Sequence, residues 1–102
     1  MIQKVFGVRD VKAKAFLQPF FSVTVDSAIR AFSDAVREDK MFSKHPEDYI
    51  LYELASFDDN GGAFVPLDKI HMLGIGTDFV ELKRVPSVVM DNKIPVEVSN
   101  GS

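Results

Sequence analysis

Cysteine and tryptophan are both missing from the 102 residues, and histidine and tyrosine occur only twice each. The lack of cysteine rules out disulfides and thiolate metal sites and suits a reducing compartment. No apolar run approaches the ~20 residues of a membrane-spanning helix, and Met1-Ile2-Gln3-Lys4-Val5-Phe6 lacks the apolar stretch of a secretion signal, so no membrane partner is expected. There is no cysteine nucleophile and no Gly-x-Ser-x-Gly, and His45 and His71 stand far apart, so the chain is not expected to be an enzyme or to need a cofactor.

Hydrophobic residues make up 46% of the chain, enough for one domain with one core, and nine phenylalanines can fill much of it. That domain is expected over residues 1–84, followed by an extended tail at 85–102 that contains Pro86, Pro95 and the polar end Ser99-Asn100-Gly101-Ser102. The net charge of −3 argues against a generic nucleic-acid binder, whose affinity comes from phosphate neutralisation. Its distribution softens that objection. Residues 1–44 carry eight basic side chains against five acidic ones, and residues 45–102 carry four against ten, so an anionic ligand is expected on the N-terminal half.

The most informative stretch is 43–59. Pro46 biases His45 away from helix, and Tyr49-Ile50-Leu51-Tyr52-Glu53-Leu54-Ala55-Ser56-Phe57 is short and aromatic, which predicts a central strand. Residues 2–9 read as another strand, with Gly7 marking a bulge or a close neighbour. Asp10 to Ser22 reads as a loop, basic at its start and carrying Phe16, Phe20 and Phe21 at its end; it either folds onto the core or presents rings to a partner. Val25, Ile29, Phe32 and Val36, with Ala28, Ala31 and Ala35, define one apolar helix face opposite Arg30, Ser33, Asp34 and Arg37, fading near Glu38 to Lys40. After the central strand, Asp58-Asp59-Asn60-Gly61-Gly62 predicts a hairpin turn and Ala63-Phe64-Val65 a short partner strand ended by Pro66. Residues 67–74 read as a helical turn or loop, 77–82 as a last strand, and 88–90 and 96–98 as optional edge strands.

These elements predict an α+β fold, a mostly antiparallel sheet of about four strands with one amphipathic helix on one face. One helix cannot cover both faces, and the central strand is apolar on both sides. The second face therefore needs the Phe-rich loop or a second copy of the chain, making a homodimer an expected partner.

Arg9, Lys12, Lys14, Phe20, Phe21, Arg30 and Arg37 have the chemistry of a single-strand site, in which cations track the backbone and rings stack on bases. The competing reading places the two rings in the core and the cations on a solvated surface. His45, His71, Glu47, Asp48, Asp58 and Asp59 lack metal-ligand spacing, and the Asp-Asp-Asn-Gly-Gly run has no distal glutamate for calcium; a turn capping its neighbours explains them better, so no metal is expected. Leu73-Gly74-Ile75-Gly76-Thr77 lacks the remaining signature of a phosphate loop and reads as a flexible connection.

Taken together, Phe6-Gly7-Val8-Arg9-Asp10, Lys12-Ala13, Phe20-Phe21, Ala28-Ile29-Arg30-Ala31-Phe32, Lys44-His45-Pro46-Glu47-Asp48-Tyr49, Leu51-Tyr52-Glu53-Leu54, Phe57-Asp58-Asp59 and Pro66-Leu67 give a chain that resembles the small nonstructural protein of gokushoviruses. These are Microviridae, tailless bacteriophages with single-stranded DNA genomes, and the resemblance covers about residues 4–82. It implies a DNA-binding protein made in the host cytoplasm, absent from the virion and associated with viral DNA replication and single-strand synthesis. The leading expectation is therefore a protein that binds single-stranded DNA through its N-terminal half. The alternative is a regulatory interaction module that acts on a viral or host replication component with little direct DNA contact.

Overall fold

The computed structural model describes residues 1–80. Strand β1 (Ile2–Asp10) is followed by two short strands, β2 (Ala15–Phe16) and β3 (Phe20–Ser22), then by helices α1 (Val25–Glu38) and α2 (Lys40–Lys44), and by the long strands β4 (Tyr49–Asp58) and β5 (Ala63–Ile75). All strand pairings are antiparallel in the order β2-β1-β4-β5, with β3 joining the same flank of β1 as β2 but at the opposite end. The result is a five-stranded α+β sheet with the main helix on one face, and β4 is central as its sequence predicts.

Helix α1 begins where Thr24, in extended conformation, turns its hydroxyl back to accept from the Ser27 N–H at 3.1 Å. It ends at Asp39, whose N–H donates to the Ala35 carbonyl and whose carboxylate accepts from the Met41 N–H at 2.8 Å. One residue thus closes the first helix and caps the second, so the chain does not simply fade near Lys40; it turns and restarts. Phe42 on α2 then lies 4.6 Å, centroid to centroid, from Tyr49.

The core joins Phe32, Val36 and Ala28 of α1 to Phe6 and Val8 of β1 and to Tyr49 and Leu51 of β4. Phe6 and Leu51 are fully buried, each contributing roughly 2 kcal/mol by apolar burial. Ser33, expected on the wet side, is buried, and its hydroxyl donates to the Arg30 carbonyl at 3.0 Å. It sits between Ile29 and Val36 at helical spacing, so the buried stripe is wider there than hydropathy suggests. Ala31 is exposed on the opposite rim. Glu53 ends the helix-side row of β4 as a buried carboxylate met by Lys4 Nζ at 3.3 Å.

Three expectations are corrected. The Asp10 to Ser22 segment is not a plain loop, because Arg9 pairs with Phe16, Val5 with Phe21 and Phe6 with Phe20. Its rings alternate across β1, which pins the backbone on both faces. Second, Pro66 does not end the strand that follows the hairpin. It pairs with Ala55 at a register shift, the next pair is Glu53 with His71, and residues 67–70 form a wide bulge within β5 on the sheet edge, the position in a sheet that tolerates proline. Third, residues 76–78 are a single 3₁₀ turn rather than strand. Gly74 before it and Gly76 at its first position are packing positions, not a flexible joint: a Cβ on Gly76 would land on the Pro46 carbonyl oxygen. The expected boundary at residue 84, the tail, residues 81–82 of the last strand and the strands at 88–90 and 96–98 lie outside the described residues.

Candidate nucleic-acid interface

Because α1 occupies one face of the sheet, the opposite face is decided by alternation and register. Residues paired directly across strands point the same way, which places Val5, Gly7 and Arg9 of β1 with Phe16, Phe21, Ile50, Tyr52, Phe57, Phe64 and Met72. A bulge at Leu54, between the pairs Phe6–Glu53 and Val5–Ala55, swings Leu54 over Gly7. A Cβ on Gly7 would lie 2.8 Å from Leu54 Cδ1 and 3.1 Å from Phe16 Cδ2, so the glycine admits both side chains to the face. Of the two sequence readings of Gly7 the close neighbour holds; the bulge belongs to the partner strand at Leu54, while Gly7 itself pairs regularly with Tyr52.

The rings form two groups at opposite ends of this face. At one end the Arg9 guanidinium carbon lies 5.8 Å from the Phe16 ring centroid, and Phe16 meets Tyr52 edge-on at 5.5 Å. Lys12 and Lys14 project from the adjoining β1–β2 turn, which Asp10 shapes by accepting from the N–H groups of Lys12 and Ala13 at 3.0 and 3.1 Å. Lys14 has φ 58°, a left-handed conformation that costs a lysine about 1 kcal/mol. At the other end Phe21, Phe57 and Phe64 form a cluster with centroid separations of 5.4, 6.1 and 4.7 Å and no cation among them. Phe16, Phe21 and Phe64 are 38, 46 and 59% exposed, so neither group is closed by the described residues.

The seven residues singled out from sequence do not converge. Arg9, Lys12 and Lys14 come together, and Phe21 shares their face at the far end. Phe20 points to the helix side and stacks on Phe6 at 5.7 Å. Arg30 and Arg37 lie on α1, across the sheet, where Arg37 is held by Asp34 at 2.7 Å in a shallow depression that Asp26 also lines. Sequence reasoning left Phe16 and Tyr52 off the site. Their signal was present: Ile50, Tyr52 and Leu54 alternate as a second apolar row along the central strand, and Phe16 lies in the same loop as the lysines.

His45, Glu47 and Asp48 bring their ligand atoms within 4.8 Å of one another on one exposed turn, with His45 Nδ1 3.5 Å from Glu47. Two of the three are largely in water, and such a group assembles on a short turn without an ion. Burial pushes the Tyr49 phenol above its ordinary value, reinforced by the carboxylates of Asp10, Asp48 and Asp39.

The architecture is thus an antiparallel α+β sheet with one covered face and one aromatic face. The chain belongs to the Phage ORF5 protein family, whose model matches residues 3–79, and is a bacteriophage protein. No curated protein and no solved structure matches it. Among the described residues no helix is long and apolar enough to cross a membrane.

Proposed function

We propose that this phage protein is the nonstructural protein of a gokushovirus and binds single-stranded DNA in the host cytoplasm during genome replication. The observation that carries the reading is the Arg9–Phe16–Tyr52 group beside Lys12 and Lys14. Lysines at the turn meet phosphates, while the Phe16 ring and the Arg9 guanidinium plane offer stacking surfaces to bases of any sequence, each stacked base being worth roughly 1–3 kcal/mol. In this reading Arg30 and Arg37 stand outside the interface. Fluorescence anisotropy with a labelled oligonucleotide tests it: binding should weaken as salt rises and fall with Phe16→Ala, and a flat titration at low salt refutes it.

A second reading, an interaction module for a replication component, draws support from the Phe21–Phe57–Phe64 end of the face, which is apolar and carries no cation.

A further inference from the structure

The helix-free face is nearly uncharged. Arg9 is the one ionic side chain among its strand-paired residues, and aromatic, methionine and arginine side chains with few other charges are the composition of interface centres. Charge is instead gathered at its two ends. The β1–β2 turn brings Arg9, Lys12 and Lys14 together with Asp10, and the Val11 N–H joins it at 2.9 Å to the Asp48 carbonyl of the neighbouring 3₁₀ turn, which carries Glu47 and Asp48. The β4–β5 turn at the opposite end holds Asp58 and Asp59, with the Met1 ammonium 2.9 Å from Asp59 as the nearby cation. Taken by themselves, residues 9–14 are net positive and residues 58–62 net negative, so the two turns have opposite signs.

We infer that the occupant of this face is a second copy of the chain, laid sheet against sheet about a two-fold axis that runs across the strands. That operator turns the strands antiparallel, so the basic turn of each copy meets the acidic turn of its partner, twice. It also sets each Phe16 end on a partner's Phe21–Phe57–Phe64 end, closing the rings that the described residues leave in water. The size is sufficient. Strand β4 has 10 residues, about 33 Å, and four strand positions span about 19 Å. Two such faces therefore remove on the order of 1,200 Å² from water, the lower bound of stable interfaces. The alternative rotation, with its axis along the strands, would bring basic turn against basic turn and acidic against acidic.

Sedimentation equilibrium of the full chain tests the arrangement. The expected result is a concentration-dependent dimer that Phe64→Ser, at an exposed position, disrupts while the circular dichroism stays unchanged. Lys12→Glu with Lys14→Glu should weaken association about tenfold, Asp59→Lys should weaken it similarly, and the combined triple variant should restore it. A chain that stays monomeric throughout the micromolar range overturns the inference, and a monomer whose Phe64 is shielded from solvent transfers the face to cover by residues 81–102. A dimer indifferent to Phe64→Ser, or a triple variant no better than its parents, overturns the antiparallel arrangement.

Discussion

Arg9 and Phe16 face each other across the two-residue pairing of β1 with β2, the guanidinium carbon 5.8 Å from the ring centroid. The pair fixes where a cation and a ring share one surface, and it stands on the side of the sheet that α1 leaves open.

Phe16→Ala should cost roughly 1–3 kcal/mol of oligonucleotide affinity, a loss of about 5- to 150-fold. Stability should change less than for a buried ring, because Phe16 is 38% exposed. Anisotropy and urea unfolding on the same variant separate the two effects.

Replacing Lys12 and Lys14 by Glu should flatten the salt dependence of single-strand binding, each lost phosphate contact lowering the slope of log affinity against log salt by about 0.7. Arg37→Ala should leave that slope unchanged, since Arg37 is held by Asp34 on the far side of the sheet. Titrations at several salt concentrations read both slopes.

The proposed DNA surface and the proposed self-association surface share Phe16, so the two partners should exclude each other. Added oligonucleotide should convert dimers into monomeric complexes in the ultracentrifuge. Dimers that bind oligonucleotide without dissociating would place the DNA elsewhere.

Gly76→Ala drives a methyl group into the Pro46 carbonyl, a backbone atom that cannot step aside as a side chain would. A destabilisation of about 1–3 kcal/mol is expected in urea unfolding. Gly61→Ala, whose Cβ would come no closer than 3.9 Å to Asp58 Oδ2, should cost much less.

Tyr49 predicts an alkaline limit. Its phenol is raised by burial above the ordinary value of 10.0, so the folded state favours the protonated form. The stability this confers is fully present below the unfolded value and is lost as pH rises through the folded one. With two tyrosines and no tryptophan, ultraviolet absorbance should show a late-ionising component that Tyr49→Phe removes.

Local pattern made much of this molecule legible. The period of Val25, Ile29, Phe32 and Val36 located α1, the aromatic run from Tyr49 located β4, and the Asn60-Gly61-Gly62 turn located the hairpin, because each signal is short-ranged and its geometry is set by neighbouring residues. Strand β5 runs on past Pro66 although a proline reads as a breaker in isolation, and only the partner strand shows that a wide bulge absorbs it. The candidate site was half legible for the same reason: Arg9, Lys12 and Lys14 are neighbours along the chain, whereas Tyr52 reaches them only through the β1–β4 register.

Composition and periodicity by themselves determined an α+β chain with one amphipathic helix, a cationic N-terminal half and an apolar second face on the central strand. Tertiary structure alone decided that Arg9 stands with Phe16 on one side of the sheet while Arg30 and Arg37 stand on the other. The physical reason is that a strand sends successive side chains to opposite faces, and which face meets the helix is fixed by pairings between residues distant in sequence.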